Sequence, residues 1–432
     1  MKLAGLSTDQ APPISAPVRF FLTAPLFGVL AGILMFFSSS ASLMNRFSMD
    51  SIVVTHAMTI GFLAFIMLGA MTQMLPVLAG AKMPRVMFVT KYSYLLLLGG
   101  TLSLLLGLSI SNTVLELIAF IGLGGGFLLI LIATALSLRT VSNFNATVKA
   151  ISTSMVFAFL IVFMGLYLLY GYIADDITQN HLIVANIHSV WAIFGFGVIL
   201  IIGVAFQVLP MFYVAPKFKR FCKRRVVWLI STGLFLWLIF SAFFVEYELV
   251  AKIWIALFVW AFATTVWIKL SRRKRPISDV TVWYWRAASV FLTIGSFLWI
   301  FDEFFKHEYI VMVAILIGGG FILSIMIGMM YKIIPFLVWF HLNGMGYMSI
   351  PTMNEMINKN LSRLQFILFI GSLIGFIFAF YYGWILKISA LSFILSMMIL
   401  EYNMVEPMLI YRKTKKTKPD FDMSAFSMPK AD

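Results

Sequence analysis

The chain has 432 residues, of which 62% are hydrophobic and only 11% charged, with a formal net charge of +15. A soluble domain carries about 25% charged residues, so this composition excludes a water-soluble fold. It also removes nucleic acid as the reason for the positive charge, because the basic residues sit in short loops between long apolar runs.

A membrane-spanning helix needs about 20 apolar residues, and only helices or closed barrels satisfy the backbone in lipid. The apolar runs are continuous, which excludes a barrel. Residues 1–18 form a polar, Pro-containing segment without the basic-then-apolar order of a cleaved signal peptide. Twelve spans follow, at about 19–40, 51–77, 92–110, 113–137, 150–173, 183–212, 226–245, 249–270, 283–301, 309–340, 362–383 and 384–405. Residues 406–432 read as a basic tail resting on anionic headgroups, or as a topogenic signal.

The loops alternate in charge. One set carries Lys82, Arg85 and Lys91; Arg139 and Lys149; Lys217, Lys219, Arg220, Lys223, Arg224 and Arg225; Arg272, Arg273, Lys274 and Arg275; Lys359 and Arg363; and the tail cations Arg412, Lys413, Lys415, Lys416 and Lys418. The other carries Asp50, Glu116, Asp175, Asp176, Glu246, Glu248, Asp302, Glu303 and Glu308. The positive-inside rule places the first set, and both chain ends, in the cytoplasm of a bacterial-type inner membrane.

An internal repeat runs through spans two, six and ten. Gly61-Phe62, Gly69 and Pro76 recur as Gly195-Phe196, Gly203 and Pro210, and as Gly320-Phe321, Gly328 and Pro335. The glycines are eight residues apart and the second is seven from the proline each time. On an α-helix, eight residues separate the glycines by about 80°, one broad face for close packing. Each proline is expected to kink or end its helix. Three four-helix units follow, at about 19–137, 150–270 and 283–405, related by an axis along the membrane normal.

Histidines supply the chemistry. His56 opens span two, 20 residues before Pro76, hence about 30 Å away near the outer interface. His188 opens span six at similar depth. Each offers an imidazole nitrogen to iron or copper, or else hydrogen-bonds a carbonyl or headgroup at the interface. His181, one heptad before His188, is a candidate metal ligand with Asp175 and Asp176, or part of a solvated acidic loop. Gln73, Gln207 and Lys332 share one repeat position, three residues before each proline. They read as a polar path for protons or ions, with Lys332 snorkelling to the interface as the other reading. Glu401 is a candidate countercharge. The 27 methionines fit apolar packing better than copper(I) binding. The one cysteine, Cys222, excludes an intrachain disulfide.

Twelve helices in three arcs, with special helices at two, six and ten, resemble haem–copper oxidase subunit I. The string His56-Ala-Met-Thr-Ile-Gly-Phe-Leu-Ala-Phe resembles that family's haem-ligand helix. The resemblance implies an all-α fold and a haem site. A complete member needs about six membrane histidines, whereas this chain has five in all: His56, His181, His188, His307 and His341. The paired histidines of helix seven and the His-x-His of helix ten are missing. The implied protein is a degenerate relative, not a complete oxygen reductase. It would bind haem b, or a single metal such as copper, through His56 and His188. It would act in electron transfer, sensing or support of a redox complex, with other membrane redox subunits as partners. A transporter of a metal or small solute, and a cofactor-free scaffold subunit, are the alternatives.

Overall fold

The computed structural model describes residues 12–141, 144–274, 279–305 and 308–421. Among them there is no strand. Twelve helices are long and apolar enough to cross a membrane. They are α1 (Ser15–Phe37), α2 (Met49–Pro76), α3 (Val86–Ile110), α4 (Thr113–Arg139), α5 (Ala146–Ile173), α6 (Gln179–Tyr213), α7 (Arg220–Phe243), α8 (Val245–Ser271), α9 (Val280–Phe305), α10 (Ile310–Gly344), α11 (Lys359–Phe378) and α12 (Ile385–Thr414). All twelve expected spans are therefore present.

Successive helices pack on one another, and α12 packs on α1, closing the chain into a ring. Contacts between loops respect the charge alternation. On the acidic face, Ser40 donates to Ala379 O across the α1–α2 and α11–α12 turns. On the basic face, Lys274 N donates to Val214 O, and Tyr347 donates to Thr417 O.

Two boundaries differ from expectation. Pro76, Pro210 and Pro335 do not end their helices, which continue to Ala79, Tyr213 and Gly344. A proline frees one carbonyl of the preceding turn, and packing of the flanking turns on neighbouring helices outweighs that loss. Likewise α12 runs through Pro407 to Thr414, because Asn403, Met404 and Pro407 are buried against the bundle. The separate tail thus starts later than 406, and its last residues, 422–432, lie outside the described residues.

The glycine register has a cause that an ideal helix does not predict. Each repeat helix contains a π-helical stretch straddling the first glycine: Ala57–Ala64, Trp191–Val198 and Ile315–Leu323. A π insertion adds one residue without advancing the face. Eight residues then rotate as seven do, by about −20° rather than 80°. The glycines consequently line up on one narrow stripe. Facing them are residues seven apart on the preceding helix: Phe20 and Phe27, Ala150 and Phe157, and Tyr284 and Phe291. A methyl on Gly195 would come 2.6 Å from Phe157 Cγ, and one on Gly69 or Gly328 would come 2.8 Å from the Cβ of Phe20 or Tyr284. A methyl on Gly61 would overlap Phe27 in the same way.

Gly195→Ala is therefore expected to lower stability by about 1–3 kcal/mol through overpacking. Phe157→Leu in the same chain should restore part of the loss, because the two sites are coupled. Thermal unfolding in detergent checks this; additive effects of the two changes would contradict it.

Candidate functional site

His56 is the last residue before the π stretch of α2, and His188 lies three residues before that of α6. The His56 ring places Nδ1 2.8 Å from Ile52 O, one turn earlier. His188 places Nδ1 3.0 Å from Ile161 O on α5. Gly165, one turn along α5, makes room for that ring: a methyl there would come 3.2 Å from His188 Cε1. A carbonyl only accepts, so in both rings Nδ1 carries the proton and the Nε2 lone pair is left available. Ligating histidines are held in this way, with the other nitrogen donating to a carbonyl.

The two imidazoles stand at similar depths on their helices, 20 residues before Pro76 and 22 before Pro210. Both residues are half-buried. Nearby residues on the two helices are mixed: Val54, Met58, Val184 and Val190 are apolar, and Thr55, Thr59, Asn186 and Ser189 are polar. Two anchored rings with free Nε2 atoms are the donor type that would hold a b-type haem, and either ring alone would suit copper.

Aromatic rings of three helices meet six residues beyond His188 on α6. Phe194 stacks on Trp299 at 5.0 Å between centroids. Behind them, Lys252 lies 5.4 Å from the Trp237 ring centroid and 5.7 Å from that of Trp299. Its ammonium is ion-paired with Glu303. A lysine near the acidic loops, such as Lys252, reads in a sequence only as an exception to the charge rule. Here it is 1% exposed and central to the packing.

His181 turns elsewhere. It is buried against α5, edge-on to Tyr172 at 5.5 Å, and a methyl on Gly171 would come 2.6 Å from its Nδ1. Asp175 and Asp176 are exposed. No group of three or more His, Cys, Asp or Glu side chains gathers among the described residues. His307 lies outside the described residues.

No family model matches this chain, and comparison with curated proteins gives no match. The site therefore rests on its own geometry.

No hydrogen bond joins Gln73, Gln207 and Lys332 among the described residues. Gln73 is 4% exposed, with neither amide atom hydrogen-bonded within the protein. Gln207 is partly accessible. Lys332 reaches toward the basic face, its Nζ 2.5 Å from Oδ2 of the partly exposed Asp279. Asp279 also caps α9, its Oδ1 accepting from Thr281 N at 3.1 Å and Val282 N at 3.3 Å. Asp279, not Glu401, is thus the countercharge. A five-member polar network was not foreseen. Tyr284 and Tyr331 both donate to Gln365 Oε1, whose amide donates to Ser396 at 3.0 Å, while Asn403 donates to Tyr331 at 3.3 Å. These five come from four helices, and no spacing within one helix displays their pairing.

Burial opposes ionisation of Asp279, but Lys332 and the N–H donors outweigh it and hold the carboxyl below the usual carboxylate range. A carboxyl depressed in the folded state stabilises above its unfolded pKa, and that stability is lost as pH falls through the folded value. Asp279→Asn is expected to melt lower than wild type at pH 7. The gap should start to narrow as pH falls below the ordinary carboxylate value of about 3.9 and close through the lower folded value. A gap that stays constant down to pH 3 would contradict this assignment.

Proposed function

We propose that this chain is a haem–copper-oxidase-like membrane protein that holds a b-type haem between His56 and His188. It serves electron transfer, sensing or support of a redox complex, and is not a complete oxygen reductase. The carrying observation is the pair of imidazoles on corresponding helices, each fixed through Nδ1 and each presenting Nε2.

Three further observations support the architecture. The π stretch, the glycine pair and the facing residues seven apart occur on α1–α2, α5–α6 and α9–α10, as three four-helix units require. The closing contact of α12 on α1 fits three arcs around one axis. The charge alternation supports a cytoplasmic location for both chain ends, in a bacterial-type inner membrane. The third unit carries no histidine at the matching depth: Ile315 stands 20 residues before Pro335, as His56 does before Pro76. α7 has none at all, so the donor set of a binuclear centre is not in the sequence.

When bound, haem supplies a one-electron couple and, where an axial position opens, a site for small gases. The protein's own part is positional. Ile52 O and Ile161 O fix the two rings and their tautomers. Gly165 admits the His188 ring. The Phe194–Trp299–Trp237 rings, with Lys252–Glu303 packed on them, tie α6, the His188 helix, to α7, α8 and α9. A reduced-minus-oxidised visible spectrum of protein made with ample haem tests the reading. A b-type signal supports it, and a flat difference spectrum overturns it.

One observation favours a second reading. The buried, unmatched amide of Gln73 suits a polar solute or ion in transit, as a transporter requires. Lys332→Met should then abolish uptake while the fold persists; unchanged uptake counts against that path.

A further inference from the structure

The cytoplasmic ends of α7 and α8 differ from the other basic loops in density and in what lies beneath them. Six of the nine residues from Lys217 to Arg225 are Lys or Arg. No Asp or Glu occurs between Tyr213 and Glu246, or between Glu248 and Asp279. The α8–α9 segment lies alongside, with Lys274 N donating to Val214 O at 3.2 Å, and adds Arg272 and Lys274 to the same patch.

Lys269 fixes this arrangement from below. Its buried Nζ donates to Pro216 O at 3.1 Å and Lys217 O at 2.8 Å, and lies 4.8 Å from the Phe218 ring centroid. With the loop backbone drawn down onto Lys269, the side chains of Lys217, Lys219, Arg220, Arg224 and Arg225 are left exposed. None of them is in an ion pair among the described residues. Mutual repulsion of uncompensated cations opposes the compact arrangement unless an anion sits among them. Orientation alone needs far fewer: the α4–α5 turn manages with Arg139 and Lys149.

An aromatic stripe begins inside the patch and runs down the lipid-facing side of α7. Phe221 is 67% exposed, Trp228 is 72% exposed and Phe235 is 47% exposed, each seven residues from the next. Residues seven apart share a helix face. A phosphodiester resting against Arg220, Arg224 and Arg225 would lay its acyl chains along this stripe. Arginine suits the phosphate through its forked donors, and the aromatic rings suit the chains.

We propose that the basic loop of α7, with the stripe from Phe221 to Trp228, is a binding site for an anionic phospholipid. The recognised group is its phosphate, and the combination with exposed apolar rings selects the lipid over free phosphate. Basic pockets at the cytoplasmic ends of membrane helices are suited to such headgroups.

The test uses full-length protein purified in mild detergent, with retained phospholipid counted by native mass spectrometry. After delipidation, the protein is titrated with phosphatidylglycerol, phosphatidylcholine or inorganic phosphate. Wild type should retain phosphatidylglycerol in preference to phosphatidylcholine. The variant Arg220→Gln/Arg224→Gln/Arg225→Gln should bind it about a hundredfold more weakly, at about a fivefold loss for each of the three charges. Phe221→Ala/Trp228→Ala leaves every charge in place, so orientation is preserved, and should also weaken retention. Lys413→Gln/Lys415→Gln/Lys416→Gln in the tail should not. Equal loss in the tail variant would reduce the effect to diffuse attraction and overturn the site. So would equal retention of phosphatidylcholine, or displacement of the lipid by inorganic phosphate.

Discussion

His56→Ala should yield a folded protein without haem. The ring is anchored one turn back on its own helix, so its removal leaves the Ile52 carbonyl to the ordinary helix ladder and disturbs no other element. His188→Ala should also lose haem, with a structural penalty as well, because its Nδ1 ties α6 to Ile161 on α5. The removed hydrogen bond between helices is worth about 1 kcal/mol. The two variants are thus expected to share one defect, haem content per chain, and to differ in a second, melting temperature. Haem extracted and quantified against protein, for wild type and both variants made with ample haem, checks the first. Retention of full haem in His56→Ala would remove that ligand from the account. Loss in His56→Ala alone would make His188 a helix clamp rather than a ligand.

The second large effect concerns the acidic face. Glu303→Gln leaves the Lys252 ammonium buried among Trp237 and Trp299 without its countercharge. Removing one partner of a buried pair destabilises by about 3–5 kcal/mol, and partial hydration of Glu303, 25% exposed at its side chain, places the expectation near about 3 kcal/mol. Lys252→Met should be milder. It keeps the apolar stem between the two rings, and the orphaned carboxylate can turn toward water. The prediction is therefore an ordering: Glu303→Gln melts well below Lys252→Met. Thermal unfolding of the two variants in detergent, followed by circular dichroism, gives the order. The reverse order would mean that the pair matters for its carboxylate and not for its buried cation.

Much of this fold was legible because lipid imposes a simple code. Twelve apolar runs of sufficient length became twelve helices, and the alternation of loop charge matches the two faces that the loop contacts define. The glycine register at 61/69, 195/203 and 320/328 was legible too, but its geometry was not. An ideal helix turns those glycines about 80° apart, and only the π stretches bring them into line against residues spaced by seven. The mismatch of eight against seven is itself a sequence signal for an inserted residue, readable once both helices are compared.

Long-range pairing was not legible. Lys332 is drawn to Asp279, a helix cap 53 residues away, a partner that hydropathy alone does not name. The shared register of Gln73, Gln207 and Lys332 did not become a hydrogen-bonded cluster, since equivalent positions about an axis converge only if their side chains point to it. The anchors of His56 and His188 are backbone carbonyls, which no residue pattern displays. What the sequence did carry was the depth of the two histidines, and that placed them as candidates on corresponding helices.

The most direct measurement of the central claim is the electron paramagnetic resonance spectrum of the oxidised, haem-supplied protein. Two neutral imidazoles on one iron predict a low-spin ferric signal, lost in both His56→Ala and His188→Ala. A low-spin signal that survives in either variant, or protein that carries no iron at all, would contradict it.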